Sequence, residues 1–255
     1  MFHEYLILLP LAFAAGAVNA AVGGGGLITV PGLFAVLPTT LPATLLGTDK
    51  LSSIFGHVSA MRQYALRLAL PWRLLAIASA SAFVGSYLGA RAVYAFAPSM
   101  MRPLVIVLLA VMLVYTWLRP NFGTVDGGRP STPRDRALGI ALGFAIGFYD
   151  GFFGPGTGSF LVFLFVRVFR FDFLRATACA KVVNLAGDSA ALVFLIPAGA
   201  VIWPLGIPMG LAAALGGLIG ARLVMRGGNV WIRRLFLVLA VTLLAKLSWE
   251  TLAGL

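Results

Sequence analysis

Lys50 and Lys181 each stand a few residues into a long apolar segment, in a chain that carries few charges. An ammonium group inside such a segment is costly and is kept where it binds or pairs with something. Both lysines are therefore read as cations that attract an anion. The structural alternatives are snorkelling to a bilayer surface and, for Lys50, pairing with adjacent Asp49. Ser53 and Asn184 follow three residues later and share the lysines' helix faces. Each segment is preceded by a glycine break: Gly23, Gly24, Gly25 and Gly26 in one, Gly154, Gly156, Thr157 and Gly158 in the other. A helix that begins at such a break presents unpaired N–H groups and the positive end of its dipole, which together suit an anion. Thr157 adds a hydroxyl donor. Glycine also permits close helix packing or a simple kink. Asn19 and Asp150 stand four residues before the breaks, either as solute-binding groups or as caps for the broken helix. Asp150, Asp188 and His57 are the groups able to carry a proton, the plainer reading of His57 and Asp188 being a hydrogen-bonded helix contact.

The elements that must position these residues are membrane helices. Hydrophobic residues make up 60% of the chain and charged ones 11%, with a mean hydropathy of +0.99, and apolar runs of spanning length alternate with short polar loops. The net charge of +11 lies mostly at the ends of these runs, as topology signals do, so it is not read as a nucleic-acid surface. The expected setting is a multi-pass protein of the cell inner membrane, with a small anionic solute and the lipid bilayer as partners. The start of the chain lacks a positive n-region, so its apolar stretch is read as a structural helix. Cys179 is the single cysteine, and His3 and His57 are the only histidines. That leaves no basis for a disulfide or a cysteine metal cluster, and no metal or cofactor is expected. No G-x-S-x-G, H-E-x-x-H or phosphate-loop lysine is present, which argues against an intramembrane enzyme and against ATP-driven transport by this chain alone.

The chain repeats itself. A shift of 131 residues pairs 11–118 with 142–249 without a gap, and about 25 of the 108 positions are identical. Chance in so biased a composition would give roughly ten. Gly16, Gly23, Gly25, Lys50, Gly56 and Trp72 match Gly147, Gly154, Gly156, Lys181, Gly187 and Trp203; G-x-x-x-G-A-R recurs at 85–91 and 216–222. Asn19 corresponds to Asp150, Ser53 to Asn184 and His57 to Asp188. The helical stretches are expected at about 6–22, 27–37, 45–64, 73–96 and 102–118, and at 137–153, 158–169, 175–196, 203–225 and 231–249. The first two of each copy flank the break and count as one broken or re-entrant element, so each copy has four helical segments, about eight in total. If both broken elements are hairpins, fourteen arginines fall on one side and two on the other; if both are kinked crossings, the division is seven against nine. The positive-inside rule favours the first. The expected fold is an all-α integral membrane protein, a single transporter domain over 1–255 of two inverted repeats, about 6–118 and 137–249, joined by a cytoplasmic linker at 119–136. The small-residue series at 139, 143, 147 and 151 reads as a packing face, and Trp72 and Trp203 as interfacial anchors.

The run GAVNAAVGGGGLITVP over 16–31, followed by LGTDKL over 46–51, resembles the opening of the TauE/SafE sulfite exporter family. GFYDGFFGPGTG over 147–158 with AKVVN over 180–184 is similar to that family's second repeat. The resemblance covers essentially the whole chain. In the second copy Ala178, Cys179 and Ala180 replace Gly47, Thr48 and Asp49, so Thr48 and Asp49 have no equivalent there. The resemblance implies a carrier of sulfite, sulfonates or related organic anions, often an exporter and coupled to the proton gradient. Competing readings are a non-transporting membrane scaffold or accessory subunit and a passive anion channel.

Overall fold

The computed structural model describes residues 2–96 and 132–226, together with the isolated positions 103, 104, 106, 107, 110, 111 and 249. Eight helices are found among these residues, and no strand: α1 (Phe2–Val22), α2 (Gly26–Val36), α3 (Pro42–Ala65), α4 (Trp72–Tyr94), α5 (Pro133–Phe152), α6 (Thr157–Arg167), α7 (Phe173–Leu195) and α8 (Trp203–Met225). Most of the helical stretches expected at 102–118 and 231–249, and of the 119–136 linker, lie outside the described residues.

Local chemistry sets the helix ends. Pro42 opens α3 in its first turn, where a missing N–H costs nothing. Asp172 caps α7 by accepting the Arg175 N–H at 2.9 Å. Gly23 and Gly154 follow α1 and α5 with φ of 78° and 93°, a region that glycine enters without strain. Under the 131-residue shift every helix of residues 2–94 starts where a helix of 133–225 starts, and the ends agree to within one residue. α1 and α5 are 21 and 20 residues long, longer than the apolar runs suggest, because polar first turns at 2–5 and 133–136 join them. At 1.5 Å per residue each is about 30 Å long, enough to cross the hydrocarbon core. The 11-residue helices α2 and α6 rise only ~16 Å.

The packing is reciprocal between the two halves of the sequence. α1 lies along α8, and α4 along α5. A Cβ on Gly16 would overlap the Ala213 carbonyl, and one on Gly147 the Ala82 carbonyl, which are matching positions. Gly85 and Gly89 are pressed against the carbonyls of Phe144 and Phe148; their counterparts Gly216 and Gly220 meet those of Phe13 and Ala17. Small residues let these backbones touch, as between helices in lipid, where no hydrophobic force drives association. The outer faces are apolar instead of charged. Along α8, Leu211, Leu215, Ile219 and Leu223 recur every fourth residue and are all exposed, while Gly210, Ala213, Gly217 and Gly220 are buried. Large apolar side chains outside and small ones inside reverse the order of a water-soluble helix and suit a lipid environment. Among the described residues α1, α4, α7 and α8 are long and apolar enough to cross a membrane. Trp72 and Trp203 begin α4 and α8 half exposed, as interfacial anchors do.

Candidate functional site

The two glycine breaks meet. A Cβ on Gly23 would overlap the backbone of Gly158, and one on Gly26 would fall 3.1 Å from Pro155 Cα. Only glycine allows so close an approach, and it brings the starts of α2 and α6 together. Neither N-cap, Gly25 nor Gly156, carries a side chain that closes the first turn. The helix ends are nevertheless less open than the sequence suggests. The Leu27 N–H donates to Gly24 O at 3.1 Å, and the Thr157 N–H to Gly154 O at 3.1 Å. The Thr157 hydroxyl also donates to Gly154 O, at 2.6 Å, so its proton stays within the break.

Around the junction lies a cavity of about 20 Å³, room for one water-sized occupant. Of the residues singled out in the sequence, Asn19, Gly23, Gly26, Lys50, Ser53, His57, Asp150, Gly154, Gly156, Thr157, Gly158, Asn184 and Asp188 line it. Gly24, Gly25 and Lys181 do not. Gly25 acts one step back: a Cβ there would sit 2.7 Å from that of Asn19, so its bareness lets Asn19 pack against the break.

Each lysine reaches across to the other half. Lys50 Nζ lies 2.7 Å from Asp150 Oδ1 and 2.8 Å from Asp188 Oδ1. Its neighbour Asp49 is not its partner. Consecutive helical residues point about 100° apart, and the Asp49 carboxylate accepts from the Thr29 hydroxyl instead. In the matching contact Lys181 Nζ donates to Asn19 Oδ1 at 3.0 Å. Snorkelling is excluded for both lysines, which are 3% and 0% exposed. Asn19 Nδ2 also meets His57 Nε2 at 2.7 Å, and His57 Nδ1 meets Asp188 Oδ2 at 2.8 Å. His57 and Asp188 hold the same position under the 131-residue shift, so the halves join at residues equivalent to each other. Asn19 and Asp150 therefore receive lysines; neither caps a helix end.

Three carboxyls, Asp49, Asp150 and Asp188, thus share a buried site with two ammonium groups and one imidazole. Two acceptors in the wall, Asp150 Oδ2 and Asn184 Oδ1, are buried without a donor. The arrangement offers a solute both cationic donors and vacant acceptors.

Asp49, which in the sequence stands out as the neighbour of Lys50 and as part of the LGTDKL run but not as a site residue, lines the cavity. Gly187 was recognised as a repeat match but not as part of the site; a Cβ there would fall 2.6 Å from Asp150 Oδ2. Thr48 serves the scaffold, accepting the Ile202 N–H at 3.0 Å and donating to Thr44 O at 2.7 Å. No signal in the sequence separates Thr48 from Asp49 in this way, since it depends on which neighbour each side of α3 meets.

Comparison with known proteins gives a consistent result. The model of the family described as "Sulfite exporter TauE/SafE" matches residues 8–247. The "Probable membrane transporter protein ORF9" of Sinorhizobium sp is 36% identical, over 96% of this chain and 93% of that protein. The "Probable membrane transporter protein YfcA" of Escherichia coli K12 is 34% identical over 96% and 90%, and a "Probable membrane transporter protein" of Haemophilus influenzae 31% identical over 96% and 94%. No solved structure matches the chain.

Proposed function

The chain belongs to the sulfite exporter TauE/SafE family, and from that premise we propose that this multi-pass membrane transporter is a proton-coupled secondary carrier of a small anion, such as sulfite, a sulfonate or a related organic anion. The observation that carries the reading is the reciprocal pair of contacts in which Lys50 reaches Asp150 and Lys181 reaches Asn19, beside two abutting glycine breaks. Cationic groups at the starts of broken helices are what an anion needs within a bilayer. The same cluster supports proton coupling. With three carboxylates against two ammonium groups, an anion entering alone would add unpaired charge to a buried site, which is strongly unfavourable. A proton taken up on Asp150, Asp188 or His57 with each anion leaves the total charge unchanged.

The tight cavity supports an occluded resting form that expands to admit a solute. We propose that it does so by rocking one half against the other, the halves being inverted repeats with the 119–136 linker in the cytoplasm. The deciding experiment is movement of labelled sulfite, sulfoacetate and taurine in proteoliposomes, with and without an imposed pH gradient. Gradient-dependent movement of at least one is expected. Absence of movement for all three would overturn the sulfur-anion reading, and movement indifferent to the gradient would overturn the coupling.

A further inference from the structure

The directions of the hydrogen bonds around His57 follow from a donor that has no alternative role. As an ammonium, Lys181 Nζ can only donate, and Asn19 Oδ1 receives it at 3.0 Å. This turns the amide nitrogen of Asn19 toward His57 Nε2, 2.7 Å away. Nδ2 donates there, so Nε2 accepts, and the neutral imidazole carries its proton on Nδ1, donated to Asp188 Oδ2 at 2.8 Å. The charged and titratable groups around this ring are Asp188 from α7, which it meets directly, Lys181 from α7, which shares Asn19 with it, Lys50 and Asp49 from its own helix, and Asp150 from α5, these last three lining the same cavity. From α1 comes the uncharged Asn19; His3, Glu4 and Tyr5 sit in the opposite end of that helix. α2 brings no titratable group, and α8 only Arg222, in its last turn.

We propose that His57 Nε2 is the binding site of the coupling proton and that its occupation releases Lys181 from Asn19, making Lys181 the mobile anion-binding cation; this rests on the anion-carrier reading above. A proton on Nε2 sets donor against donor at Asn19 Nδ2. The amide must then turn its oxygen to His57, which leaves its nitrogen facing Lys181. The ammonium of Lys181 is fully buried, and among the described residues Asn19 Oδ1 is the acceptor the structure gives it. Once displaced, it needs another. Asn184 Oδ1 lies one turn along the same helix, on the cavity wall, buried and without a donor. Lys181 is drawn toward it, into the cavity, where an incoming anion completes its coordination. The imidazolium stays paired with Asp188. One proton and one anion enter together, and the buried cluster keeps its total charge. Lys50 cannot play this part as readily, since two carboxylates hold it where Lys181 has a single amide.

The test uses the full chain with the exposed His3 changed to Gln, so that His57 is the sole imidazole. It is labelled with [15N]histidine and [15Nζ]lysine and studied by NMR in lipid bilayers, the Lys181 resonance being assigned through Lys181→Arg. At neutral pH the spectrum is expected to show a protonated Nδ1 and a bare Nε2; the opposite tautomer would overturn the proposal. On acidification the Lys181 Nζ signal should shift over the same pH range in which His57 becomes imidazolium. An unmoved lysine signal would likewise overturn it. Asn19→Asp supplies an acceptor whatever the state of His57, so in that variant the lysine signal should stay fixed while the ring titrates; a shift equal to the parent's would refute the release step. These outcomes do not depend on the cargo, whereas failure of the carrier reading shows as an absence of anion flux in wild-type proteoliposomes.

Discussion

Lys50 is held between Asp150 and Asp188 at 2.7 and 2.8 Å, so an anion that reaches it must first displace a carboxylate or find it protonated. Breaking a buried ion pair from one side leaves an uncompensated charge and costs about 3–5 kcal/mol. Lys50→Ala is therefore expected to lower the melting temperature in detergent as well as weaken anion affinity at least about tenfold, roughly 1.4 kcal/mol. Stability and flux measured on the same preparation check both, and wild-type flux in the variant would remove Lys50 from the site. Asp150→Asn keeps the shape and the Asp188 contact but cannot hold the same negative charge. It is expected to reduce the stimulation of transport by a pH gradient, measured against the wild type at equal protein. That both lysines are buried inside the molecule was legible from their matching places in apolar segments. Their partners were not, because Asp188 is 138 residues from Lys50 and Asn19 is 162 from Lys181.

At the scale of elements, the small residues of α4 and α8 fix how the halves interlock. Gly85→Val and Gly216→Val press a branched side chain onto the carbonyls of Phe144 and Phe13 in equivalent places, so both should lose folded yield to a similar degree. Gly199→Ala is the control. Its φ of 70° is strained for alanine, but nothing lies within 4 Å, so a loss of only ~1 kcal/mol is expected. Fluorescence size-exclusion profiles of the three variants decide the matter; a Gly216→Val profile as good as that of Gly199→Ala would show that the close α1–α8 approach is dispensable. The G-x-x-x-G-A-R repeat announced a packing face, but which helix it meets depends on the chain's path across the membrane.

For the whole molecule, the arginine distribution places the 119–136 linker in the cytoplasm if the broken elements are hairpins. Cys179 is fully buried, so in a Cys179→Ser background single cysteines placed along the linker give a clean accessibility map. Labelling by a membrane-impermeant thiol reagent is expected only after the cells are opened. Labelling of intact cells would refute the orientation.

Hydropathy and the apolar runs determined by themselves that this is a helical membrane protein, and the 131-residue shift with its two glycine breaks raised the expectation of a repeat, since each is a property of composition or of local periodicity. The glycine breaks and the polar residues within the apolar segments were legible as candidates for one site, and thirteen of those sixteen residues line a single cavity in the structure. Tertiary structure alone decided that the lysines are engaged across the halves, that Asp49 turns to Thr29 while Lys50 turns to Asp150, and that Lys181 stands one layer behind the cavity wall. The physical reason is that the cost of a buried charge is felt locally and shapes the sequence pattern around it. Its neutralisation depends on which distant residue the packing of α3 and α7 against α1 and α5 brings within hydrogen-bond reach.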